Sequence, residues 1–277
     1  MVTNSSHCLT MYLKGERLYG DDLTESEIEE WYRDEAEAYA QLGSGDRQNY
    51  CYGYHALNKL LGYSYVGTAK FDHVVGLGSA YGDEFLPIID RVSRLSILDP
   101  SDTFKVANIE GVPVAYDKPN VTGDLPFETA SINLITCFGV LHHIPNVSHV
   151  VREFARCLAP GGIVLIREPT VSMGDWAKPR TGLTKRERGI PLQIFQEIIY
   201  DAKLDVVKGT SFGFSPLTYV WNRISPSSIY NSSLAVMLDI MFCRLTKWNY
   251  RYHRQTVLER FAPSSVFWVL TKSSSRK

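Results

Sequence analysis

The stretch from Gly123 to Pro169, "GDLPFETASINLITCFGVLHHIPNVSHVVREFARCLAPGGIVLIREP", decides the fold because it contains a strand, a helix and a second strand in order. The apolar runs Ile132–Phe138 and Ile163–Ile166 predict buried strands. Between them, apolar residues recur at helical spacing from Val147 to Leu158, and "APGG" then ends the helix. Alternation of this kind predicts a parallel sheet covered by helices on both faces.

The same rhythm continues outward in both directions. Upstream, Val74–Leu77 and Leu95–Leu98 are strand candidates; downstream, a helix from about Leu192 to Ala202 precedes the strand pattern "LDVVKG", and Ser265–Lys272 forms the last strand. We therefore predict an α/β fold with a Rossmann-like, seven-stranded, mostly parallel sheet flanked by helices.

Two segments fall outside this rhythm. The amphipathic pattern from Leu23 to Leu42 predicts a helix, which is either a lid over a cleft or a helix packed on the main core. Between residues 216 and 254 the sequence becomes aromatic and partly helical, which indicates an insertion before the last strand. The predicted organisation is an N-terminal helical lid segment at 1–66 and a core at 67–277, with 216–254 as an insertion on the acceptor side.

Composition limits the possible partners. The 277 residues include 29 Lys and Arg against 30 Asp and Glu, so the net charge of -1 gives no global attraction to nucleic acid or anionic lipid. Any basic binding surface must be local. The five cysteines lack a C-x-x-C pair, which speaks against zinc and disulfides, and no metal is expected. Without a signal-peptide pattern or an apolar run long enough to cross a bilayer, we expect a cytoplasmic protein with no membrane span.

A glycine-rich turn follows the first strand, in "VVGLGSAYGDE" from Val74 to Glu84. Its glycines approximate a dinucleotide-binding turn, which would make the protein an NAD-dependent oxidoreductase. Asp99 at the end of the next strand can accept the ribose hydroxyls of any adenosine, so it does not separate the candidates. We expect Asp83 and Glu84 to lie in the first turn of a helix, where they favour a cofactor with a positive centre over a pyrophosphate.

The ordered series of motifs resembles the class I S-adenosylmethionine-dependent methyltransferases of the small-molecule or glycan type. The likeness is carried by "DLPF", the strand, "VLHHI", the helix, "LAPGG" and the strand ending in Arg167 and Glu168, and it covers roughly residues 71 to 209. It implies S-adenosyl-L-methionine as cofactor, with Asp99 on the ribose and Asp124 on the adenine amino group. The implied cofactor-binding residues are Gly76, Gly78, Ser79, Gly82, Asp99, Pro100, Asp124, Leu125, Phe138 and Gly139.

The first motif departs from the family pattern. Gly76 stands where the family has an acid, and Ala80 stands where it has the middle glycine; Asn133 also replaces a usual acid in the fourth strand. In the family, the acid at the position of Gly76 often binds the amino group of the methionine moiety. That contact must come from another residue or from water.

Polar residues at the predicted strand ends are candidates for chemistry. His142, His143 and Glu168 are the candidate catalytic residues, with a histidine as base for a hydroxyl acceptor, because histidine titrates near neutral pH. Each also has a purely structural interpretation, such as capping a turn or pairing with a neighbouring base.

Arg167, Arg180 and Arg186 are candidate substrate-binding residues, since arginine binds phosphates. We expect O-methylation of a small molecule or sugar, possibly phosphorylated or nucleotide-linked, and no nucleic-acid partner. Two alternatives remain open. The basic segment Trp176–Gly189, which contains Arg180 and Arg186, could be an ordinary solvated surface, and the protein could be a catalytically inactive binding module with the same fold.

Overall fold

The computed structural model describes residues 9–42, 47–176, 178 and 180–272. Residues 1–8, which include Cys8, residues 43–46 of the predicted lid segment and the tail at 273–277 lie outside the described residues. Residues 9–14 are helical, and the helices with both ends among the described residues include α1 Glu25–Leu42, α2 His55–Leu61, α3 Val147–Cys157, α4 Leu192–Asp201, α5 Ser215–Ile224 and α6 Ser233–Thr246. The strands are β1 Val74–Leu77, β2 Leu95–Leu98, β3 Asn108–Ile109, β4 Val112–Asp117, β5 Ile132–Phe138, β6 Leu158–Pro169, β7 Leu204–Phe212 and β8 Ser265–Lys272.

The eight strands form one sheet in the order β3-β4-β2-β1-β5-β6-β8-β7. Neighbours from β4 to β6 run parallel, whereas β8 is antiparallel to both β6 and β7, and β3 is antiparallel to β4. The sheet thus has one strand more than the predicted seven, and two of its strands, β3 and β4, were not located from the sequence. Strand β3 has two residues and pairs with β4 across the left-handed turn at Glu110 and Gly111, a pattern too short for apolar alternation to reveal.

The predicted strands β1, β2, β5 and β8 and the two core helices are confirmed within one residue at their ends. Strand β7 continues three residues beyond the predicted Gly209, and β6 begins at Leu158, five residues before the predicted Ile163, so that "APGG" lies within the strand and not in a turn after the helix. Strands β1 and β2 are entirely buried, as expected when helices and loops cover both faces of a sheet. Helix α3 buries one apolar face that includes Val147, Val151 and Phe154, each 0% exposed. Two apolar clusters result, one on each face of the sheet.

One local prediction is wrong. The glycine turn after β1 leads into a three-residue 3-10 turn, Asp83–Phe85, and not into an α-helix. Pro87 follows two residues later; it has no backbone N–H, and its ring obstructs a preceding helical turn. Asp83 and Glu84 therefore do not lie at the positive end of a helix dipole, and the argument drawn from that placement does not hold.

Helix α1 packs on the core close to the carboxyl ends of the strands. Trp31 is fully buried, and its indole Nε1 donates to the carbonyl of His143 at 2.7 Å. Arg186 donates to Asp34 and Glu30 of α1 at 2.7 and 2.9 Å, and Lys185 also contacts Asp34. These contacts join α1 to the loop after β6.

Helices α5 and α6 lie between β7 and β8, where the insertion was predicted. Asp239 of α6 is fully buried and accepts the backbone N–H groups of Gly213 and Phe214, which fixes α6 against the end of β7. Among the described helices, none is both long enough and apolar enough to cross a membrane.

Candidate active site

Two cavities open at the carboxyl ends of the parallel strands, which is where sheets of this kind bind ligands. The apolar cavity is lined mainly by aliphatic residues from the strand ends, with Tyr32 and Glu35 of α1 on one side. The tyrosine cavity, of about 530 Å³, is lined by Tyr50, Tyr52, Tyr54, Ser79, Glu84 and Arg167, among others. Both cavities share Gly78 and Gly139, so they meet where β1 and β5 end.

The backbone at this junction requires glycine. Gly78 has φ +62°, and a Cβ there would lie 2.5 Å from Cγ2 of Val140. Gly139, at φ +77°, directly follows β5. Glycine adopts these left-handed conformations without the steric cost of a Cβ, and it leaves the backbone accessible from both cavities.

Glu84 is the functional candidate that the sequence reasoning missed, having been assigned to a helix terminus. It is 4% exposed and lines the tyrosine cavity. Its Oε1 accepts hydrogen bonds from Ser79 Oγ at 3.0 Å and from Thr136 Oγ1 at 2.5 Å. Burial raises the pKa of Glu84 to about 7, against the opposing effect of these two hydroxyl groups.

The environment of Gly76 explains why no acid stands there. Gly76 pairs in register with Thr136, and a Cβ at Gly76 would lie 2.1 Å from Ser79 Oγ and 2.6 Å from the ring of Phe85. A side chain at this position would displace the hydroxyl group that binds Glu84. The carboxylate beside the glycine turn is therefore that of Glu84, and position 76 has no side chain.

Asp99 connects the glycine turn to the end of β2. Its side chain is 0% exposed, and its two carboxylate oxygens accept the N–H groups of Ala80 and Ser101 at 3.1 and 3.0 Å. Burial raises its pKa, although these two N–H groups favour the ionised form. The next residue, Pro100, lines the apolar cavity.

Asp124 and Leu125 both line the apolar cavity, but in different environments. Leu125 is 6% exposed, whereas Asp124 is an exposed residue whose oxygens accept from Thr122 Oγ1 and contact His149 Nε2, each at 2.7 Å. The hydrogen bond from Thr122 and then that from His149 lower the pKa of Asp124, so it is a carboxylate at neutral pH.

The two adjacent histidines have different surroundings. His143 lines the apolar cavity, and its Nδ1 lies 2.9 Å from Glu35 Oε2. Burial and the charge of His142 lower its pKa, so His143 is neutral near pH 7. It is the one predicted catalytic residue that lines either cavity.

His142 and Glu168 lie behind the cavity walls. His142 Nδ1 is 2.7 Å from Glu168 Oε2, and its Nε2 is 3.5 Å from Glu187 Oε1. Burial opposes protonation of His142, but the two carboxylates outweigh burial and raise its pKa to about 9. Glu168 Oε1 also accepts the N–H groups of Val140 and Leu141, both at 2.8 Å, so this pair fixes the turn that follows β5.

One group of side chains within the described ranges has ligand atoms close enough to one another to hold a metal ion: His142, His143 and Glu187, within 4.8 Å. Both ring nitrogens of His142 already face carboxylates. A metal ion would have to replace these contacts.

The three predicted substrate-binding arginines separate into two groups. Arg167 is 7% exposed and lines the tyrosine cavity, with its guanidinium 3.5 Å from the ring centre of Tyr54. No carboxylate of the described chain lies within 4.0 Å of it, and it donates to Asn58 Oδ1 at 3.3 Å.

Arg180 and Arg186 line neither cavity. Arg180 donates to backbone carbonyls of its own loop, including that of Glu187 at 2.6 Å, and Arg186 binds α1 as described above. Both guanidinium groups are thus engaged with the protein itself.

The sequence reasoning also missed the tyrosines at 50, 52 and 54, which alternate in "NYCYGYHAL" before α2. Burial raises the pKa of Tyr50 to about 12 and that of Tyr52 still further, so both phenols stay neutral at physiological pH. Tyr54 stacks on Tyr230 of the insertion, with ring centres 5.2 Å apart and planes 11° apart. The alternation is a signal that could have drawn attention to this wall.

Residues 48–197 match the methyltransferase domain family. The chain belongs to this family. A curated relative, methyltransferase str2 of Strobilurus tenacellus, is 38% identical over 72 residues, which cover 26% of this methyltransferase and 24% of that protein. The match therefore spans about a quarter of the relative's length.

Solved structures share the fold of this methyltransferase at low sequence identity. Phosphoethanolamine N-methyltransferase 2 of Haemonchus contortus, in complex with S-adenosylhomocysteine, has a TM-score of 0.57 and 14% identity, covering 90% of this chain and 60% of that one. The [4+2]-cyclase SpnF has a TM-score of 0.56 and 13% identity, covering 93% and 100%. An S-adenosylmethionine-dependent methyltransferase of Mesorhizobium loti has a TM-score of 0.52 and 15% identity, covering 78% and 97%.

Proposed function

We propose that the protein is an S-adenosylmethionine-dependent methyltransferase that O-methylates a small molecule or a sugar. The observation that carries the proposal is the meeting of an apolar and a polar cavity at Gly78 and Gly139. The adenosine would occupy the apolar cavity, and the sulfonium would lie at the shared glycines. The acceptor would enter from the tyrosine cavity.

The contacts of Asp99 and the wall of the apolar cavity support the adenosine placement. Asp99 is fully buried and lines neither cavity, but its chain neighbours Leu98 and Pro100 line the apolar cavity. Each of its oxygens accepts one backbone N–H group and retains a second lone pair, which a ribose hydroxyl would reach from that cavity. Asp124 is an ionised acceptor beside the buried side chain of Leu125, a combination that suits an adenine amino group and ring.

Glu84 supports the placement of the methionine end. An α-ammonium group needs a carboxylate, and Glu84 is the acid that lines the tyrosine cavity beside Gly78 and Ser79. A bound ammonium would favour the ionised form and lower the pKa of Glu84 from about 7. Glu84 would thus take over the contact that the family's acid makes from the position of Gly76.

Methyl transfer from a sulfonium requires an in-line arrangement of donor and acceptor, and holding the two in line supplies much of the rate acceleration. A hydroxyl acceptor also loses a proton. His143 is the candidate base, because it is neutral near pH 7, whereas His142 is protonated and paired with two carboxylates. His143 lines the apolar cavity and not the tyrosine cavity, so it would act on an acceptor hydroxyl that reaches the junction of the two cavities.

The tyrosine cavity favours an acceptor that carries both a ring and a negative charge. The aromatic side chains offer surfaces for stacking, and Arg167 offers a buried guanidinium without a carboxylate partner in the described chain. A phosphorylated or nucleotide-linked acceptor meets both requirements.

Calorimetry with S-adenosylhomocysteine, 5′-methylthioadenosine and NAD tests the cofactor assignment. Methylthioadenosine keeps the adenosine and the sulfur but lacks the amino-acid group. We expect both sulfur nucleosides to bind and NAD not to bind. Binding of NAD with no binding of the sulfur nucleosides would replace this proposal with an oxidoreductase.

The variant Glu84→Gln tests the amino-acid end separately. We expect about a tenfold to hundredfold loss of affinity for S-adenosylhomocysteine, because a charged hydrogen bond contributes roughly 1.5–3 kcal/mol, and no change for methylthioadenosine. The matched control is Glu29→Gln on the exposed face of α1, which should leave both affinities unchanged. Equal losses for the two ligands in Glu84→Gln would show a structural role only.

A catalytically inactive module is the second candidate. Two observations support this candidate: Gly76 stands where the family has an acid, and a [4+2]-cyclase has the same fold. Cofactor binding without methyl transfer to a panel of hydroxylated and phosphorylated acceptors would support this second candidate against the first.

A further inference from the structure

Helix α6 presents an apolar stripe to the outside of the molecule. Its side chains lie three or four residues apart and are 37% to 79% exposed: Leu234, Met237, Leu238, Met241, Leu245 and, in the following turn, Trp248. At about 1.5 Å per residue, the stripe is roughly 20 Å long. Exposed apolar patches of this extent on a folded protein mark an interaction surface.

The opposite face of α6 is already satisfied. Ala235, Val236 and Cys243 are buried against the core, and Asp239 binds two backbone N–H groups. The exposed stripe is therefore separate from the face of α6 that packs on the core. The helix has two apolar faces, and one of them lacks a covering element within the described residues.

Charge around the stripe has one sign. Residues 215 to 254 contain five basic residues and a single acidic residue, the buried Asp239. Arg223, Arg244, Lys247 and Arg251 are exposed, and no carboxylate of the described chain lies within 4.0 Å of any of them. The insertion is thus a local basic and apolar surface on a chain whose net charge is -1.

We propose that the stripe of α6 docks the protein on an anionic membrane surface. Basic residues beside an apolar helix face, with a tryptophan at its end, are what a helix lying in the headgroup region requires. Lys and Arg contact lipid phosphates while Leu and Met enter the acyl boundary. A second copy of the chain would instead bring Arg244 and Lys247 toward like charges, with no exposed acid on α6 to compensate.

The inner side of the same insertion contacts the loop before α2 that contains Tyr50, Tyr52 and Tyr54. Asn231, in the turn before α6, accepts the N–H of His55 at 2.8 Å and donates to the carbonyl of Tyr52 at 2.9 Å. No residue of the stripe lines either cavity. Docking and the proposed methyl transfer therefore use different residues, and each is tested without the other.

Co-sedimentation of the purified chain with vesicles tests the proposal. One set of vesicles contains phosphatidylcholine alone, and the other also contains phosphatidylserine. We expect binding to the second set only, weakened by added salt because the charges are solvent-exposed. Replacing Arg244 and Lys247 by Gln should weaken binding about fivefold for each charge removed.

The apolar contribution is tested with Leu245→Asp, which should abolish sedimentation with anionic vesicles. Val207→Asp is the matched control, because Val207 is 50% exposed on β7, outside the insertion. Both variants should keep the parental affinity for S-adenosylhomocysteine and the parental melting temperature within a few degrees. Equal sedimentation of Leu245→Asp and Val207→Asp would overturn the proposal, as would a concentration-dependent dimer that Leu245→Asp dissociates without any vesicle binding by the parent.

Discussion

The two cavities share Gly78 and Gly139 but are built in different ways. The apolar cavity is formed largely by strand ends and the turns that follow them, whereas three alternating tyrosines of one loop form a wall of the tyrosine cavity. Strand ends are positioned by the hydrogen bonds of the whole sheet, so their geometry follows from the fold. The loop is positioned by particular contacts, such as Tyr54 on Tyr230 and Arg167 on Tyr54. Under the proposed function, the cofactor would bind where the fold itself sets the geometry, and the acceptor would bind where contacts particular to this chain set it.

The largest expected effect comes from the residue that both cavities share. Gly78→Val introduces a β-branched side chain at φ +62° and within 2.5 Å of Val140. We expect more than about a hundredfold loss of affinity for both S-adenosylhomocysteine and methylthioadenosine, measured by calorimetry. A left-handed conformation costs an L-residue roughly 1–2 kcal/mol, so stability should also fall.

Gly67→Val is the control for backbone strain alone. Gly67 has φ +64°, and a Cβ there meets nothing within 4 Å. This variant should lose similar stability from the backbone and keep both affinities. If Gly67→Val also lowered the affinity for both ligands, the effect of Gly78→Val would be explained by general destabilisation and not by the position of Gly78 at the junction.

The next effect should separate the two ends of the cofactor. Asp99→Asn leaves one acceptor oxygen where the parent has two, so the Ala80 and Ser101 contacts and the ribose contact compete for it. We expect about a tenfold or larger loss of affinity for S-adenosylhomocysteine and for methylthioadenosine alike. Glu84→Gln should instead weaken only S-adenosylhomocysteine. If Asp99→Asn weakened one of the two ligands and not the other, the orientation proposed for the cofactor would be wrong.

A smaller effect concerns the wall behind the junction. The pKa of His142 is raised from 6.5 to about 9 in the folded chain, so its stabilising contribution is complete below pH 6.5 and disappears as the pH rises through 9. His142→Gln should therefore reduce the free energy of unfolding at pH 6 by roughly 3 kcal/mol, as the pKa shift implies. At pH 10 the parent and the variant should differ much less.

Urea unfolding at the two pH values measures this difference. His149→Gln serves as the control, because His149 is partly exposed and pairs with the exposed Asp124. A loss in His142→Gln that did not change between pH 6 and pH 10 would mean that packing, and not the charge of the histidine, stabilises the wall.

The smallest effect is expected at the surface contact between α1 and the loop after β6. Asp34→Asn weakens the ion pair with the exposed Lys185 and the pair with Arg186, whose side chain is 12% exposed. Pairs near the surface contribute about 1 kcal/mol or less. We expect the variant to be slightly less stable than the parent. Added salt should weaken the ion pairs of the parent and so reduce the difference between the two proteins. A large loss of cofactor affinity in this variant would show instead that the contact also positions Tyr32 and Glu35, the residues of α1 that line the apolar cavity.

Much of the sheet could be predicted from the sequence because apolar runs and helical spacing report burial directly. The limits of β1, β2, β5 and β8 follow from such runs. The helix expected after the glycine turn failed because Pro87 outweighed the glycine pattern. The hairpin of β3 and β4 was missed since its alternation is short and partly exposed.

The candidate site was predictable only in part. Residues that follow strand ends, such as Pro100 and His143, do line a cavity, since the fold brings the strand ends together, and Leu125 of the loop before β5 lines the same cavity. Contacts between distant segments could not be anticipated: Glu84 binds Thr136, which is 52 positions away in the sequence, and Arg186 binds an acid of α1. A charged residue in a sequence does not reveal whether it will face a ligand or another part of its own chain.

The position of β8 has a consequence for how the chain folds during synthesis. This strand lies between β6 and β7 and pairs with both, yet the ribosome makes it after every other strand of the sheet. Until β8 emerges, β6 and β7 each present an open edge that can pair with other nascent chains. A premature stop before Ser265 should therefore yield an aggregating product and not a smaller working enzyme, even though every residue lining the two cavities would already be present.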